Sequence, residues 1–309
     1  MKDLPPAIFL MGPTASGKTC IAVELMERLP VEIISVDSAL VYRDMNIGTA
    51  KPDATTQSRA PHHLIDLIDP TEAYSAAAFC RDAQLLMAEI TRRGKIPLLA
   101  GGTMLYFNAL RNGLSELPAA CPAMRAELDT EIEKYGIQRL HQQLALVDAI
   151  TAARLKPGDT QRIQRALEIY RLTGQTMSEL IAAQKSVALP YRVIPIAIVP
   201  SNRAALHARI ALRFGQMLEA GLVEELRALR NKYPLSPLLP SMRCVGYRQA
   251  WLYSEGKISA TQLQETGIIA TRQLAKRQLT WLRSMPDNIE LDCLAANLAQ
   301  QVYDTVKHL

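Results

Sequence analysis

The 309-residue chain has little cysteine, few aromatic side chains and no long apolar run. Its five cysteines, Cys20, Cys80, Cys121, Cys244 and Cys293, are odd in number and scattered. None stands at CxxC or another metal spacing, so reduced thiols are expected and a structural zinc site is not. His62–His63 has no acidic or cysteine partner at ligand spacing and reads as a loop or a strand edge. The apolar runs Ala7–Met11 and Val193–Val199 fall far short of the ~18 residues that a spanning helix needs. The opening MKDLPPAIFLMGP carries Asp3, Pro5 and Pro6 around a short apolar stretch, unlike a signal peptide. A cytoplasmic protein with no membrane association is therefore expected. Gly (15) and Pro (18) are ordinary, which excludes collagen-like and low-complexity chains, and no internal repeat occurs. With aromatics at only 5%, a nucleic-acid partner would be held less by stacking than by phosphates, shape and polar base contacts.

What is present suffices for a core: 49% of residues are hydrophobic and 21% charged. The length suits one large domain, or one with a sizeable insertion. The net charge of +5 is unevenly spread. Residues 1–150 hold 14 Lys/Arg against 18 Asp/Glu, a net of −4, whereas residues 151–309 hold 21 against 12, a net of +9. A polyanionic partner for the second half is one reading, and a solvated basic surface is the other.

Short apolar runs at Ala7–Met11, Ile33–Val36 and Ile96–Ala100 read as buried strands, with helical spacing over Lys18–Leu29 and Ser75–Arg93 and a helix over Met104–Leu110. Alternating strands and helices with short links predict a parallel α/β core. From about Pro118 to Lys185 only helical periodicity is found, over Pro122–Tyr135, Ile137–Leu146, Ile150–Leu155 and Thr160–Thr173. Val193–Val199 returns to a β-rich run. Helical patterns then cover Arg203–Ala220, Val223–Lys232, Tyr247–Glu255, Ala260–Arg283 and Cys293–His308. The expected fold is a P-loop NTPase-like α/β parallel sheet core, residues 1–117 and 190–309, with an all-helical insertion domain at 118–189.

Gly12, Pro13, Thr14, Ala15, Ser16, Gly17, Lys18 and Thr19 match GxxxxGK[ST] in full, after a strand and before a helix. The glycines let backbone N–H groups turn toward phosphate oxygens, and the helix N-terminus adds partial positive charge. Lys18 adds a full charge, and the Thr19 hydroxyl is placed to ligate Mg2+. The loop points to a diphosphate or triphosphate with Mg2+ but names no reaction. No apolar run ends in a Walker-B Asp after the third strand, and no NKxD motif occurs. Ligands gather at the carboxyl ends of parallel strands, so Asp37-Ser38 and Gly101-Gly102-Thr103 should join the loop. By position alone, Asp37 is either a base or water-mediated metal ligand, or a turn residue. Thr103 is a helix cap, a site hydroxyl, or both.

The P-loop, Asp37–Tyr42, Asn46–Pro52 and Gly101–Tyr106 together resemble the tRNA dimethylallyltransferases, also called tRNA isopentenyltransferases. Gln161–Arg165, Arg243–Arg248 and Lys276–Arg283 look like that family's RNA-contacting segments. The matches run from residue 8 to about 283. Leu40 stands where many members have Gln, and Met104 where many have Gly.

The resemblance implies transfer of a dimethylallyl group from dimethylallyl diphosphate to N6 of the adenosine 3′ of the anticodon, with Mg2+ required. The tRNA anticodon stem-loop would be the partner, and a monomer is expected. Asp37 matches the family's catalytic acid position and would accept the N6 proton, while Thr103 would position the reacting groups. RNA contacts are implied for Asp37, Ser38, Ala39, Leu40, Thr103 and Arg125. They are implied also for Gln161, Arg162, Ile163, Gln164 and Arg165, and for Arg243, Cys244, Val245, Gly246, Tyr247 and Arg248. A last set is Lys276, Arg277, Gln278, Leu279, Thr280, Trp281, Leu282 and Arg283. Helical spacing puts Arg272, Lys276 and Arg283 on one face, with Arg277 beside it. Trp281 is expected to pack in a core rather than stack on a base. Two other classes stay open: a P-loop small-molecule kinase, and a non-catalytic RNA-binding protein with a nucleotide site.

Overall fold

The computed structural model describes residues 4–113, 117–183 and 188–309. Strand β1 (Pro6–Met11) leads through the phosphate loop into α1 (Lys18–Arg28). Then come β2 (Val31–Val36), α2 (Ala54–Arg59), β3 (His62–His63), α3 (Ala76–Arg92), β4 (Ile96–Gly101) and α4 (Met104–Asn112). Helices α5 (Pro122–Tyr135), α6 (Ile137–Val147), α7 (Ala149–Arg154), α8 (Thr160–Thr173) and α9 (Met177–Ala182) follow. The chain returns through β5 (Arg192–Val199), α10 (Arg203–Glu219), α11 (Leu222–Lys232), a 3-10 turn at Ser241–Arg243 and α12 (Tyr247–Ser254). It ends with α13 (Ala260–Ser284), β6 (Ile289–Asp292) and α14 (Leu298–Val306). The last residues of the helical run read from sequence, 184 and 185, lie outside the described residues.

The six strands form one parallel sheet in the order β3-β2-β4-β1-β5-β6. Both faces are covered, which is why the central strands are continuous apolar runs rather than alternating ones. Phe9, Met11, Ile34, Val36 and Leu99 point to one face, where residues of α3, α4, α10 and α13 pack. Ile8, Leu10, Ile33 and Leu98 point to the other, under α1 and α14. His62–His63 is a short edge strand beside β2. Strand β6 gave no signal in the sequence, being four residues with two of them exposed. The helix read from Cys293 begins only at Leu298, because Asp292 turns the chain first by accepting from the Leu294 N–H at 3.0 Å.

The chain divides into two compact units, Met1–Arg111 with Leu189–Leu309, and Asn112–Ala188. The second has its own core of Leu128, Leu140, Leu144, Ile163, Ala166 and Leu167. Beside that core Glu168 is fully buried. Its carboxylate pairs with Arg125 at 3.0 Å and Arg165 at 2.7 Å, and accepts the Cys121 N–H at 2.8 Å. Burial pushes the Glu168 carboxyl up, but these partners outweigh it and hold it below the ordinary carboxylate range. Glu168→Ala strands two guanidinium groups, Arg125 and Arg165, at the edge of this core. It is expected to cost about 2 kcal/mol or more, discounted for the partial exposure of Arg125. Hydrogen exchange across α5 and α8 checks this, and unchanged protection would contradict it.

Candidate functional site

Strand β1 delivers the chain into the phosphate loop and α1 carries it away. Gly17 caps α1 with φ +88°, a left-handed conformation that glycine adopts without a Cβ penalty. The Lys18 Nζ donates to the Pro13 carbonyl at 2.6 Å and to Ser16 Oγ at 3.4 Å, which folds the ammonium over the loop. Burial lowers the Lys18 pKa to about 7, with Asp37 pulling it up and Arg213 pushing it down.

The ends of β2 and β4 lock together next to the loop. A Cβ on Gly101 would stand 2.0 Å from the Val36 carbonyl oxygen, so no larger residue fits there. The Thr103 N–H donates to the Val36 carbonyl at 3.1 Å, and its hydroxyl oxygen accepts the Ser38 N–H at 3.0 Å. Asp37 lies between those two anchors. Its Oδ1 accepts the Ala39 N–H at 2.8 Å. Burial raises the Asp37 pKa, against the opposing effects of that hydrogen bond and of Lys18 and Arg213.

These groups line a cavity of about 750 Å³. Its described lining carries four cationic side chains, Lys18, Arg213, Arg243 and Arg277, and one carboxylate, Asp37. Met104, Ile210, Phe214, Met217 and Leu274 give it an apolar wall. The arrangement is suited to an anionic group against the loop, an apolar group against the wall, and a proton at Asp37.

From the predicted sites, the structure brings into this lining Thr14 to Thr19, Asp37 to Leu40, Thr103, Arg243 to Val245, Arg277, Gln278 and Trp281. Trp281 is 37% exposed, which corrects the expectation that it packs in a core. Of the basic residues on α13 it is Arg277 that reaches the cavity; Lys276 and Arg283 are exposed away from its lining, and the Arg272 Nε is buried. Tyr247, Leu279, Leu282 and Ile163 are core residues, and Gly246 is buried, so these side chains face no external surface. Arg248 and Thr280 are exposed outside the lining. On the helical unit Gln161 and Arg162 are exposed; Gln164 donates to Asp129 at 2.7 Å, and Arg125 and Arg165 serve Glu168. Arg162 pairs with Asp159, the α8 N-cap, at 2.9 Å.

Sequence reasoning missed Arg213, Glu225 and the duty of Gln278. Arg213 lies one turn from Ile210 on the buried stripe of α10, and burial pulls its guanidinium pKa down while Asp37 pulls it up. Glu225 shares a stripe of α11 with Leu222, Leu226 and Leu229. It accepts the N–H groups of Asn46 at 3.0 Å, Ile47 at 2.8 Å and Gly48 at 3.2 Å, and the Tyr247 hydroxyl. That fixes the Asn46–Pro52 segment, whose Gly48, Thr49 and Ala50 line the cavity. Lys51 of the same segment is spent internally, donating to the Tyr42 carbonyl at 2.7 Å. Each missed residue is a polar group at an apolar stripe position, which was the available signal.

A lysine that titrates near neutrality must be recharged when an anion binds. Binding of inorganic diphosphate as a probe anion is therefore expected to take up a proton above pH 7. Affinity should fall by up to about tenfold per pH unit as pH rises further. Lys18→Arg, charged at every pH, should lose the uptake. Calorimetry in buffers of different ionisation enthalpy reads it, and equal uptake by both proteins would contradict the assignment.

The profile of the IPP transferase family matches residues 40–285. A tRNA dimethylallyltransferase from Thiobacillus denitrificans is 61% identical over 295 residues, 96% of this chain and 94% of the relative. The crystal structure of a full-length tRNA isopentenylpyrophosphate transferase from Bacillus halodurans is 34% identical, with a TM-score of 0.72, covering 99% of this chain and 96% of that one. A eukaryotic dimethylallyltransferase captured acting on tRNA superposes with a TM-score of 0.82 at 26% identity, over 97% of this chain and 78% of that one. The phosphate loop, the strand-end carboxylate and the near full-length likeness agree: this chain belongs to the IPP transferase family.

Proposed function

We propose that this protein is a tRNA dimethylallyltransferase. It moves a dimethylallyl group from dimethylallyl diphosphate to N6 of the adenosine 3′ of the anticodon. The observation that carries this reading is one half-buried carboxylate set among cations, with an apolar wall beside a phosphate loop. An isoprenyl diphosphate presents the matching chemistry, an anionic head on an apolar tail.

In this reading the N6 lone pair attacks C1 of the dimethylallyl group. The C1–O bond breaks, and its electrons leave with diphosphate. Lys18 and Arg213 hold that anion, where charge grows in the transition state. The exocyclic amine is a weak nucleophile, and Asp37 accepts its proton as the N–C bond forms. Its raised pKa makes the ionised carboxylate a better base than an exposed one. Thr103 holds the backbone on either side of Asp37. The oxygen donors here suit Mg2+. The Thr19 hydroxyl is exposed at the loop, and the buried Ser35 hydroxyl, on the same wall as Asp37, has no hydrogen-bond partner among the described residues. Thr19 would hold the ion, which when bound supplies positive charge to the leaving diphosphate.

The target base must leave its stack to reach Asp37. Arg243 and Arg277 would meet phosphates near the cavity, and Trp281 offers a ring face to a base. On the helical unit, exposed Arg162 is the first phosphate contact to test. Arg162→Ala is expected to reduce the slope of log affinity against log salt by about one. An unchanged slope would remove Arg162 from the RNA surface.

The test of the reaction uses the protein with Mg2+, dimethylallyl diphosphate and unmodified tRNA, followed by nucleoside mass spectrometry. An isoprenyl increment on adenosine is expected. Asp37→Ala should lower its rate by about 100-fold or more with RNA affinity held within about two-fold. ATP consumption without RNA, and no increment, would overturn the reading in favour of a kinase.

A further inference from the structure

The Gln278 side chain bridges the two loops that leave the paired ends of β1 and β4, beyond the Met11–Gly101 register. Its Oε1 accepts the Thr14 N–H at 2.8 Å, in the phosphate loop. Its Nε2 donates to the Gly102 carbonyl at 2.8 Å. The contact is close: a Cβ on Gly102 would lie 2.4 Å from that nitrogen. Gly102 is followed by Thr103, which bonds Val36 and Ser38 on either side of Asp37. A continuous path therefore runs from the phosphate loop to Asp37 through one buried amide.

We infer that Gln278 is a positioning residue, which holds the diphosphate loop in register with the Asp37–Thr103 junction. This rests on the transfer reaction proposed above. The amide is chemically specific, because the site needs an acceptor and a donor in one plane. A carboxylate only accepts, and a thioether accepts only weakly and donates nothing. Each end of the amide is engaged inside the chain, so Gln278 acts on the geometry of the site. The same helix carries Arg277 and Trp281 on the cavity, so the staple is anchored to the element that faces the incoming base. Attack on C1 needs the amine, the diphosphate and the base held together, and an error of about 1 Å costs on the order of 100-fold in rate.

Two substitutions test this. Gln278→Met keeps the length and removes both hydrogen bonds. Its kcat should fall by about 100-fold, with RNA affinity within about two-fold of wild type. Gln278→Glu keeps the acceptor and loses the donor. Its activity relative to wild type at the same pH should rise as pH falls, because a protonated carboxyl both accepts and donates like the amide. Gln278→Met should show no such recovery. Hydrogen exchange across residues 12–19 and 101–105 should speed up in Gln278→Met without any substrate. Unchanged kcat, loss of RNA affinity in step with kcat, a flat pH ratio for Gln278→Glu, or unchanged exchange would each overturn the staple. If wild-type protein prenylates no RNA, the transfer reading fails on its own, and the exchange data still judge Gln278.

Discussion

Lys18, Asp37 and Arg213 stand together, each partly shielded from water, at the carboxyl ends of a parallel sheet. Burial acts on all three in the same sense, disfavouring the charged form: it lowers the lysine and the arginine and raises the aspartate. The attraction of each cation for Asp37 opposes it, together with the hydrogen bond that Asp37 accepts from the Ala39 N–H. The two cations exceed the one carboxylate, so the site is short of negative charge before any ligand arrives. In the proposed reaction a diphosphate would supply that charge and leave the carboxylate for a proton.

The surrounding chain is arranged to keep this cluster fixed. Gly101 admits the Val36 carbonyl at a distance no side chain allows. Thr103 spans the residue on each side of Asp37, and Gln278 ties that turn to the phosphate loop. Glu225 does the equivalent for the Asn46–Gly48 backbone. Each of these polar groups is matched by partners within the chain, as a buried polar group requires. Rigid support of this kind suits chemistry that depends on position more than on any reactive cofactor.

Much of this was legible in the sequence. The central strands are continuous apolar runs, and the helices Pro122–Tyr135 and Thr160–Thr173 have the same bounds by spacing and in the structure. The phosphate loop declares itself because backbone geometry demands glycine at fixed spacing. Arg213, Glu225 and Gln278 were harder, since each needs a tertiary partner far along the chain. Gln278 lies 264 residues from Thr14, a contact that no local pattern encodes. The roles of Arg125 and Arg165 hid for the same reason: basic residues look alike in sequence whether they face solvent or a buried Glu168. Trp281 shows the converse, an aromatic at core spacing that is left open to the cavity.

The central claim is that half-buried Asp37 takes the proton from the attacking amine. Single-turnover prenyl transfer, followed against pH in wild type and in Asp37→Asn, tests it most directly. The expected wild-type rate falls on the acid side with a midpoint above the usual aspartate value of about 3.9, and Asp37→Asn gives a low rate without that limb. The same acid limb in both proteins would contradict Asp37 as the base.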